Sequence, residues 1–432
     1  MSSRRRFIKE ASVFASGTLM MPTIMSCNSK NRSSPNNLIN IACIGLGSHG
    51  IQHNLKNYLN LQDLCRVVAV CDVYLPLAKK AKKIVDETYG NKDCKIYQDF
   101  REVLARPDID AVQITTPDHW HVPMSIIAMN SGKHVSCEKP THTIEEGRML
   151  VDAVNRTGKV FSVSVEDRFL PNYQQMAQLV KGGRIGELHK IEIELPVGNL
   201  PKEGYEIKEP PKGLDYDLWC GPAPKHPYCD ARCFYNFRWN FDYAGGSISD
   251  WLPHQGETAQ WLTEYEMSGP VQVEPLKPTV FHTGIYNTAK EFDILYTYEN
   301  RVTMEVKNGI PWIRVIGSDG WIESKGWNRP LTASNEKLLN LPKKIISLPH
   351  TKGEHYDFLM AIKEGTSPVM NAELGHRTST VCHSGNISAL LNRKLAWNPN
   401  TEKFINDDEA NAKRTKTPRE EWSYEKILKM KC

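Results

Sequence analysis

The sequence predicts an α/β protein, with an N-terminal doubly wound parallel sheet followed by a C-terminal α+β domain built on a large open, mostly antiparallel sheet. From Leu38 to about residue 160, short β-branched runs alternate with amphipathic helical stretches, as do strands buried on both faces and joined by crossover helices. After about Gly158 the pattern becomes strict apolar–polar alternation, the mark of strands with one wet face. A length of 432 residues also exceeds one ordinary domain.

The chain opens on a leader. Ser3-Arg4-Arg5-Arg6-Phe7-Ile8-Lys9 resembles a twin-arginine export signal, and an apolar run from Ala11 to Met25 follows it. Ile24-Met25-Ser26-Cys27 is similar to a lipobox, which makes Cys27 the expected lipid attachment point, and "NSKNRSSPNN" reads as a tether. The expected location is therefore periplasmic or membrane-anchored, after export in the folded state. Residues 1–26 hold a net +3 of the formal +4, and the remaining +1 excludes the electrostatic footprint of a nucleic-acid binder. No later apolar run is long enough to span a bilayer. The expected division is 1–37 leader and tether, 38–160 first domain, and 161–432 second domain, whose C-terminal helices pack back on the first.

"LINIACIGLG" is the first strand and runs into Gly45-x-Gly47-x-x-Gly50. Such glycines allow the tight turn, the approach of backbone to a pyrophosphate, and close helix–strand packing. Leu46, Ser48 and His49 complete the loop. "RVVAVCDV" is the second strand, and Asp72 ends it 22 residues after Gly50, where a carboxylate accepts ribose hydroxyls. No arginine follows at once to pair with a 2′-phosphate, so NAD is favoured over NADP. "LPLAKKAKKIVDETYG" and "TIEEGRMLVDAVNRTG" are helices, the second opened by a capping box of Thr143 and Glu146. "AVQITT" is a strand leading into "TPDHWH", where Thr116, Pro117 and His121 line the cofactor cleft. Trp120 stands at its nicotinamide end, and Asp118 is expected to N-cap a helix that Pro123 helps to start. "KHVSCEKP" is another strand, ending in Glu138 and Lys139 at the cleft.

The glycine fingerprint, Asp72, "TPDHWH" and "EKP" together resemble the glucose–fructose oxidoreductase, inositol dehydrogenase and MocA family (Gfo/Idh/MocA), over nearly the whole chain from residue 38. The resemblance implies a Rossmann domain, NAD as cofactor, a sugar substrate and Lys139 as a catalytic residue. In the second half, "LHKIEIELP", "EFDILYTYEN", "RVTMEVKN" and "WIRVIGSDGWIES" are the alternating strands. Their open sheet is expected to line the substrate cleft and to build a homo-oligomer interface.

"GGSISDWLPHQGETAQWL" places Asp250 and His254 four apart on a helix, hence on one face, where a carboxylate can orient a histidine base. The family's catalytic Asp-x-x-x-His falls on these two residues. Aromatic-rich "CFYNFRWNFDYAGG" offers Arg238, Trp239 and Asp242 to a sugar; Arg168 in "VEDRF", Tyr173 and Trp120 are the other substrate candidates. Cys220, His226, Cys229 and Cys233 have zinc-ligand types and spacing, but outside the cytosol a disulfide is favoured and no metal site is assigned. The expected activity is hydride transfer between a sugar or glycoside hydroxyl carbon and a tightly bound nicotinamide. His254 and Lys139 share the roles of base and electrophile, in an order the sequence leaves open. The alternatives are a glycoside hydrolase or lyase passing through a transient keto-sugar, and a non-catalytic sugar sensor.

Overall fold

The computed structural model describes residues 38–198, 205–343, 346–348 and 352–432; the leader, Cys27 and the tether expected in residues 1–37 lie outside the described residues. The first sheet has six strands: β1 (Ile39–Ile44), β2 (Cys65–Cys71), β3 (Lys95–Tyr97), β4 (Ala111–Ile114), β5 (His134–Glu138) and β6 (Phe161–Ser164). They run β3-β2-β1-β4-β5-β6 and every pairing is parallel. The strand order reverses between β1 and β4, and the crevice at the C-terminal ends of the strands there is where such sheets bind ligands. Because β6 pairs with β5, the first domain runs past residue 160, the boundary expected from the sequence, through Ser164 at least.

Helices Leu75–Tyr89 and Ile144–Thr157 end on Gly90 and Gly158, both in the left-handed region that favours glycine. Thr143 caps the second helix by accepting from the Glu146 amide at 3.1 Å, while the Glu146 carboxylate accepts the Tyr424 hydroxyl at 2.8 Å. The helix Asp118–Asn130 corrects an expectation. Pro117, with extended backbone, takes the cap position, so Asp118 falls inside the first turn and caps nothing, and Pro123 lies within the helix.

The second sheet comprises β7 (Leu188–Leu195), β8 (Gln272–Pro275), β11 (Asp293–Thr297), β12 (Thr303–Asn308), β13 (Trp312–Gly317), β14 (Gly320–Ser324), β15 (Thr332–Ala333), β16 (Leu395–Asn398) and β17 (Lys403–Phe404); a small ribbon of β9 (Val280–Phe281) and β10 (Ala289–Glu291) stands apart. Its order is β15-β14-β13-β7-β12-β11-β8-β16-β17, antiparallel throughout except for the parallel pair β7 and β12. Along β7, Ile191, Ile193 and Leu195 are fully buried, whereas Lys190, Glu192 and Glu194 are half-buried on the other face. There Lys190 pairs with Glu305 at 2.6 Å, and Arg314 lies between the rings of Trp312 and Trp321.

Helix Ala372–Leu391 packs on both Ile144–Thr157 and Leu252–Thr263, and Tyr424–Lys429 packs on Asp118–Asn130, so the C-terminal helices bind the two halves together. Among the described residues no helix is long and apolar enough to cross a membrane.

Candidate active site

A cavity of about 920 Å³ opens at the C-terminal ends of β1, β2, β4 and β5, with its outer wall supplied by the second domain. That volume stands near the top of the ~300–1,000 Å³ range of small-molecule sites. Gly45, Leu46, Gly47, Ser48, His49, Gly50, Asp72, Thr116, Pro117, His121, Glu138 and Lys139 all line it, as does Asp250 with His254.

The glycine loop is explained by sterics. Gly45 has φ +86°, and a Cβ there would stand 2.4 Å from the Thr115 carbonyl oxygen; one on Gly50 would stand 2.2 Å from the Gly45 oxygen. At Gly47 nothing lies within 4 Å of the position a Cβ would take, so bare backbone faces open space. Asp72 braces the loop: its carboxylate oxygens accept the Leu46 amide at 2.7 Å and the Tyr74 amide at 2.8 Å. Burial still lifts this carboxyl to about 6. Each oxygen keeps a second acceptor site, which suits ribose hydroxyls. An unobstructed glycine backbone and a carboxylate at the end of β2 thus fit a dinucleotide.

At the other end of the cavity, Lys139 donates to Asp250 Oδ1 at 3.1 Å and to the Asp250 carbonyl, and Arg238 Nε donates to Asp250 Oδ2 at 3.2 Å. Burial opposes the Lys139 charge, but Asp250 and Glu138 outweigh it and hold the pKa above that of an ordinary lysine. Burial likewise opposes the Asp250 charge, and Lys139 with Arg238 keeps it well below the usual carboxylate range.

Asp250 and His254 line one cavity but do not pair as expected. The helix breaks at Trp251, which ends Gly246–Asp250 and caps Leu252–Thr263, so the four-residue spacing no longer puts both side chains on one continuous face. His254 Nδ1 instead hydrogen-bonds Asp167 at 2.9 Å, with Glu166 at 3.6 Å, and Trp327 donates to the second Asp167 oxygen at 3.3 Å. Burial lowers the His254 pKa, and the two acids more than reverse this, leaving it raised. Sequence reasoning missed Asp167: it sits in the quoted "VEDRF", but nothing local ties it to a histidine 87 residues on.

Asp118 is a second omission. It is buried at the cavity wall, and burial with the nearby Asp250 lifts its carboxyl to about 7 against the pull of Arg238 and Lys139. His121 lies between the carbonyl oxygens of Pro140 and Thr116, at 2.8 Å each, and burial lowers its pKa, so the neutral ring donates to one of them. Glu138 meets His49 at 3.0 Å and the Asn54 amide at 2.9 Å.

Of the substrate candidates, Arg238 faces the cavity and four others do not. Arg168 is buried in ion pairs with Glu257 and Glu266, its guanidinium 5.0 Å from the Trp261 ring. Tyr173 is fully buried in the core beneath the second sheet. Trp239 is buried against Gly198, whose missing side chain makes room for its ring, and Asp242 pairs with His226 at 2.7 Å outside the cavity. Each is drawn away by a nearer partner or by apolar packing. Trp120 lines the cavity, yet its indole nitrogen donates to the Leu218 carbonyl at 3.0 Å and its ring packs edge-on to Phe100 and Trp422. In their place the structure offers Trp251 and Trp327, stacked at 5.7 Å, with His254 edge-on to Trp327 at 5.0 Å. Trp251 follows Asp250 in a stretch already singled out; Trp327 carried no local signal.

Cys220, Cys229 and Cys233, expected to form a disulfide, are buried free thiols; Cys220 and Cys233 pack among Tyr216, Trp219 and Tyr228. Among the described residues, two groups bring metal-ligand donor types within 4.8 Å: His53 with Glu354 and His355, and Glu166 with Asp167 and His254. In each, a histidine and a carboxylate already hydrogen-bond one another, at 2.9 Å.

A parallel sheet with a glycine loop at its switch point and an appended α/β domain closing the cleft defines a Rossmann-type dinucleotide-binding fold. The chain belongs to the Gfo/Idh/MocA oxidoreductase family: residues 39–165 match its NAD-binding Rossmann fold and residues 199–424 its C-terminal alpha/beta domain. It is 32% identical over 158 residues to D-glucoside 3-dehydrogenase of Escherichia coli (strain K12), covering 36% of this chain and 42% of that protein. It is 27% identical over 207 residues to alpha-N-acetylgalactosaminidase of Shewanella oneidensis, covering 43% of this chain and 44% of that protein. The chain thus spans less than half the length of these curated relatives. The WlbA dehydrogenase from Bordetella pertussis in complex with NADH and UDP-GlcNAcA shares the fold, with a TM-score of 0.61 at 16% identity over 83% of this chain and 98% of that one.

Proposed function

We propose that this protein oxidises a hydroxyl-bearing carbon of a sugar or glycoside, using a tightly held NAD. The observation that carries the proposal is the convergence, in one cavity, of a dinucleotide cradle and two separately braced polar pairs, Lys139 with Asp250 and His254 with Asp167. The loop amides around Gly47 would hold the pyrophosphate and Asp72 the ribose; Val73 follows Asp72 where a 2′-phosphate would need a cation, which favours NAD over NADP. When bound, the nicotinamide supplies the hydride acceptor.

The chain's own residues handle the proton and the charge. With Nδ1–H donated to Asp167, the His254 Nε2 lone pair accepts the proton of the substrate hydroxyl. Lys139, kept positive by Asp250 and Glu138, stabilises charge developing on that oxygen. In this reading His254 is the base and Lys139 the electrophile, an order supported by the Asp167 hydrogen bond to His254 and by the raised pKa of Lys139. Trp251 and Trp327 present apolar ring faces to the sugar. The twin-arginine leader fits this chemistry, since an exported enzyme must carry its dinucleotide with it, and Cys27 would anchor it by a lipid. The wet face of the nine-stranded sheet is the surface assigned to self-association.

A second reading, glycoside cleavage through a transient keto-sugar, is favoured by the likeness to a glycosidase and by Asp118, a carboxyl poised near 7 in the same cavity. Adding methyl glucosides to purified protein separates the two. Oxidation alone leaves reduced nicotinamide and a keto-glycoside, whereas cleavage releases methanol and leaves the nicotinamide oxidised.

A further inference from the structure

Resting on the proposed dinucleotide binding, we infer that the second domain closes over the adenosine half of the cofactor, with Phe234 as the adenine cover that prevents its release. Asp72 takes the ribose next to the end of β2, so the residues directly after it flank the adenosine end. The second domain is fastened to those residues. The Leu75 amide donates to the Gly213 carbonyl at 3.0 Å and the Asp215 amide to the Val73 carbonyl at 2.9 Å, and Tyr74 and Leu214 form a β-bridge. Gln98 Nε2 donates to the Val73 and Gly213 carbonyls, at 2.9 and 3.0 Å, locking both sides of the junction.

Beyond this junction the same segment lines the cavity at Leu218 and Trp219 and again at Phe234, Tyr235, Phe237 and Arg238, the last bonded to Asp250 at the reacting end. Within it Phe234 is unusual in two ways. The residue is 42% exposed, although it lines the cavity and its ring meets Tyr74 edge-on at 5.6 Å. Its backbone is left-handed, φ +54°, a conformation that an aromatic residue adopts only when its surroundings hold it there. A large apolar side chain kept half in solvent, in a costly backbone conformation, at the lip of a cavity is placed for a flat ligand rather than for the core. With Tyr74, Leu77 and Leu214 it forms an apolar, aromatic slot suited to a purine base.

The test is retention of NAD in the full-length protein. Wild-type, Phe234→Ala and Phe234→Tyr proteins are loaded, dialysed against NAD-free buffer, and assayed for nicotinamide released on denaturation; ADP-ribose binding is measured by calorimetry. Base–aromatic stacking is worth enough that Phe234→Ala should lose NAD roughly tenfold to hundredfold faster and bind ADP-ribose weaker by a similar factor. Its thermal transition should be unchanged, and Phe234→Tyr should behave as wild type. Equal retention and equal ADP-ribose affinity in Phe234→Ala would overturn the inference while leaving NAD binding intact. A wild-type protein that binds neither NAD nor ADP-ribose would overturn the underlying dinucleotide reading as well.

Discussion

Replacing Asp167 by asparagine probes the proposed base through a residue that touches neither substrate nor cofactor in this account. The amide oxygen can still accept the Nδ1–H of His254, so orientation is largely kept while the negative charge is lost. A hydrogen bond to a charged group contributes about 1.5–3 kcal/mol. At about 1.4 kcal/mol per pKa unit, removing the charge should lower the His254 pKa by about one to two units. Glu166 at 3.6 Å remains to supply part of the upward push. Oxidation needs neutral His254, so the wild-type rate should rise with pH through a pKa above the ordinary histidine value of about 6.5. In Asp167→Asn that limb should move to lower pH. The plateau should also fall, by about tenfold to 150-fold if the whole interaction strengthens as the imidazole becomes charged in the transition state. The assay is single-turnover reduction of bound NAD by a glucoside from pH 5 to 9. An unshifted limb with an undiminished plateau would refute the assignment of His254 as a base oriented by Asp167.

Gly47→Ala should fold with a wild-type thermal transition, because nothing lies within 4 Å of its new Cβ, yet bind NAD more weakly; Gly50→Ala, whose Cβ would stand 2.2 Å from a backbone oxygen, should disturb the loop itself. Calorimetry with paired thermal melts checks both. Arg168→Met should destabilise the protein by about 3–5 kcal/mol by stranding the buried Glu257, without raising KM for the sugar in the folded fraction; a raised KM with unchanged stability would restore Arg168 to the substrate site. Asp118 is an acid whose folded pKa of about 7 exceeds its unfolded value of about 3.9, so it destabilises the protein increasingly above pH 4 and fully above pH 7. Asp118→Asn should therefore raise Tm more at pH 8 than at pH 4, and equal shifts at the two pH values would contradict this.

The parts legible in the sequence are those where local chemistry dictates local structure. The glycines at 45, 47 and 50 sit where backbone crowding and open space demand them, and the first sheet's strands read as apolar runs because both faces are covered. The period-two strands of the second domain were equally plain, since burial alternates along β7 and β13. What failed was inference across a break or across the chain. The spacing of Asp250 and His254 suggested a pair only if the helix ran through Trp251, and it does not. Arg168 and Asp242 carry the right groups for hydroxyl recognition, but long-range partners claim them: Glu257 and Glu266 for the first, His226 for the second. Asp167 was invisible for the same reason in reverse, because its function comes from a histidine brought to it by the fold.

The central claim is that Lys139 and His254 drive transfer from a sugar to a dinucleotide held in the same cavity. It is tested most directly by mixing NAD-loaded protein with a glucoside in a stopped-flow instrument and following nicotinamide absorbance in wild type, Lys139→Met and His254→Ala. The account predicts reduction of about one nicotinamide per chain in wild type, and rates lower by about two to four orders of magnitude in each variant with NAD still bound. Near-wild-type single-turnover rates in both variants would contradict it.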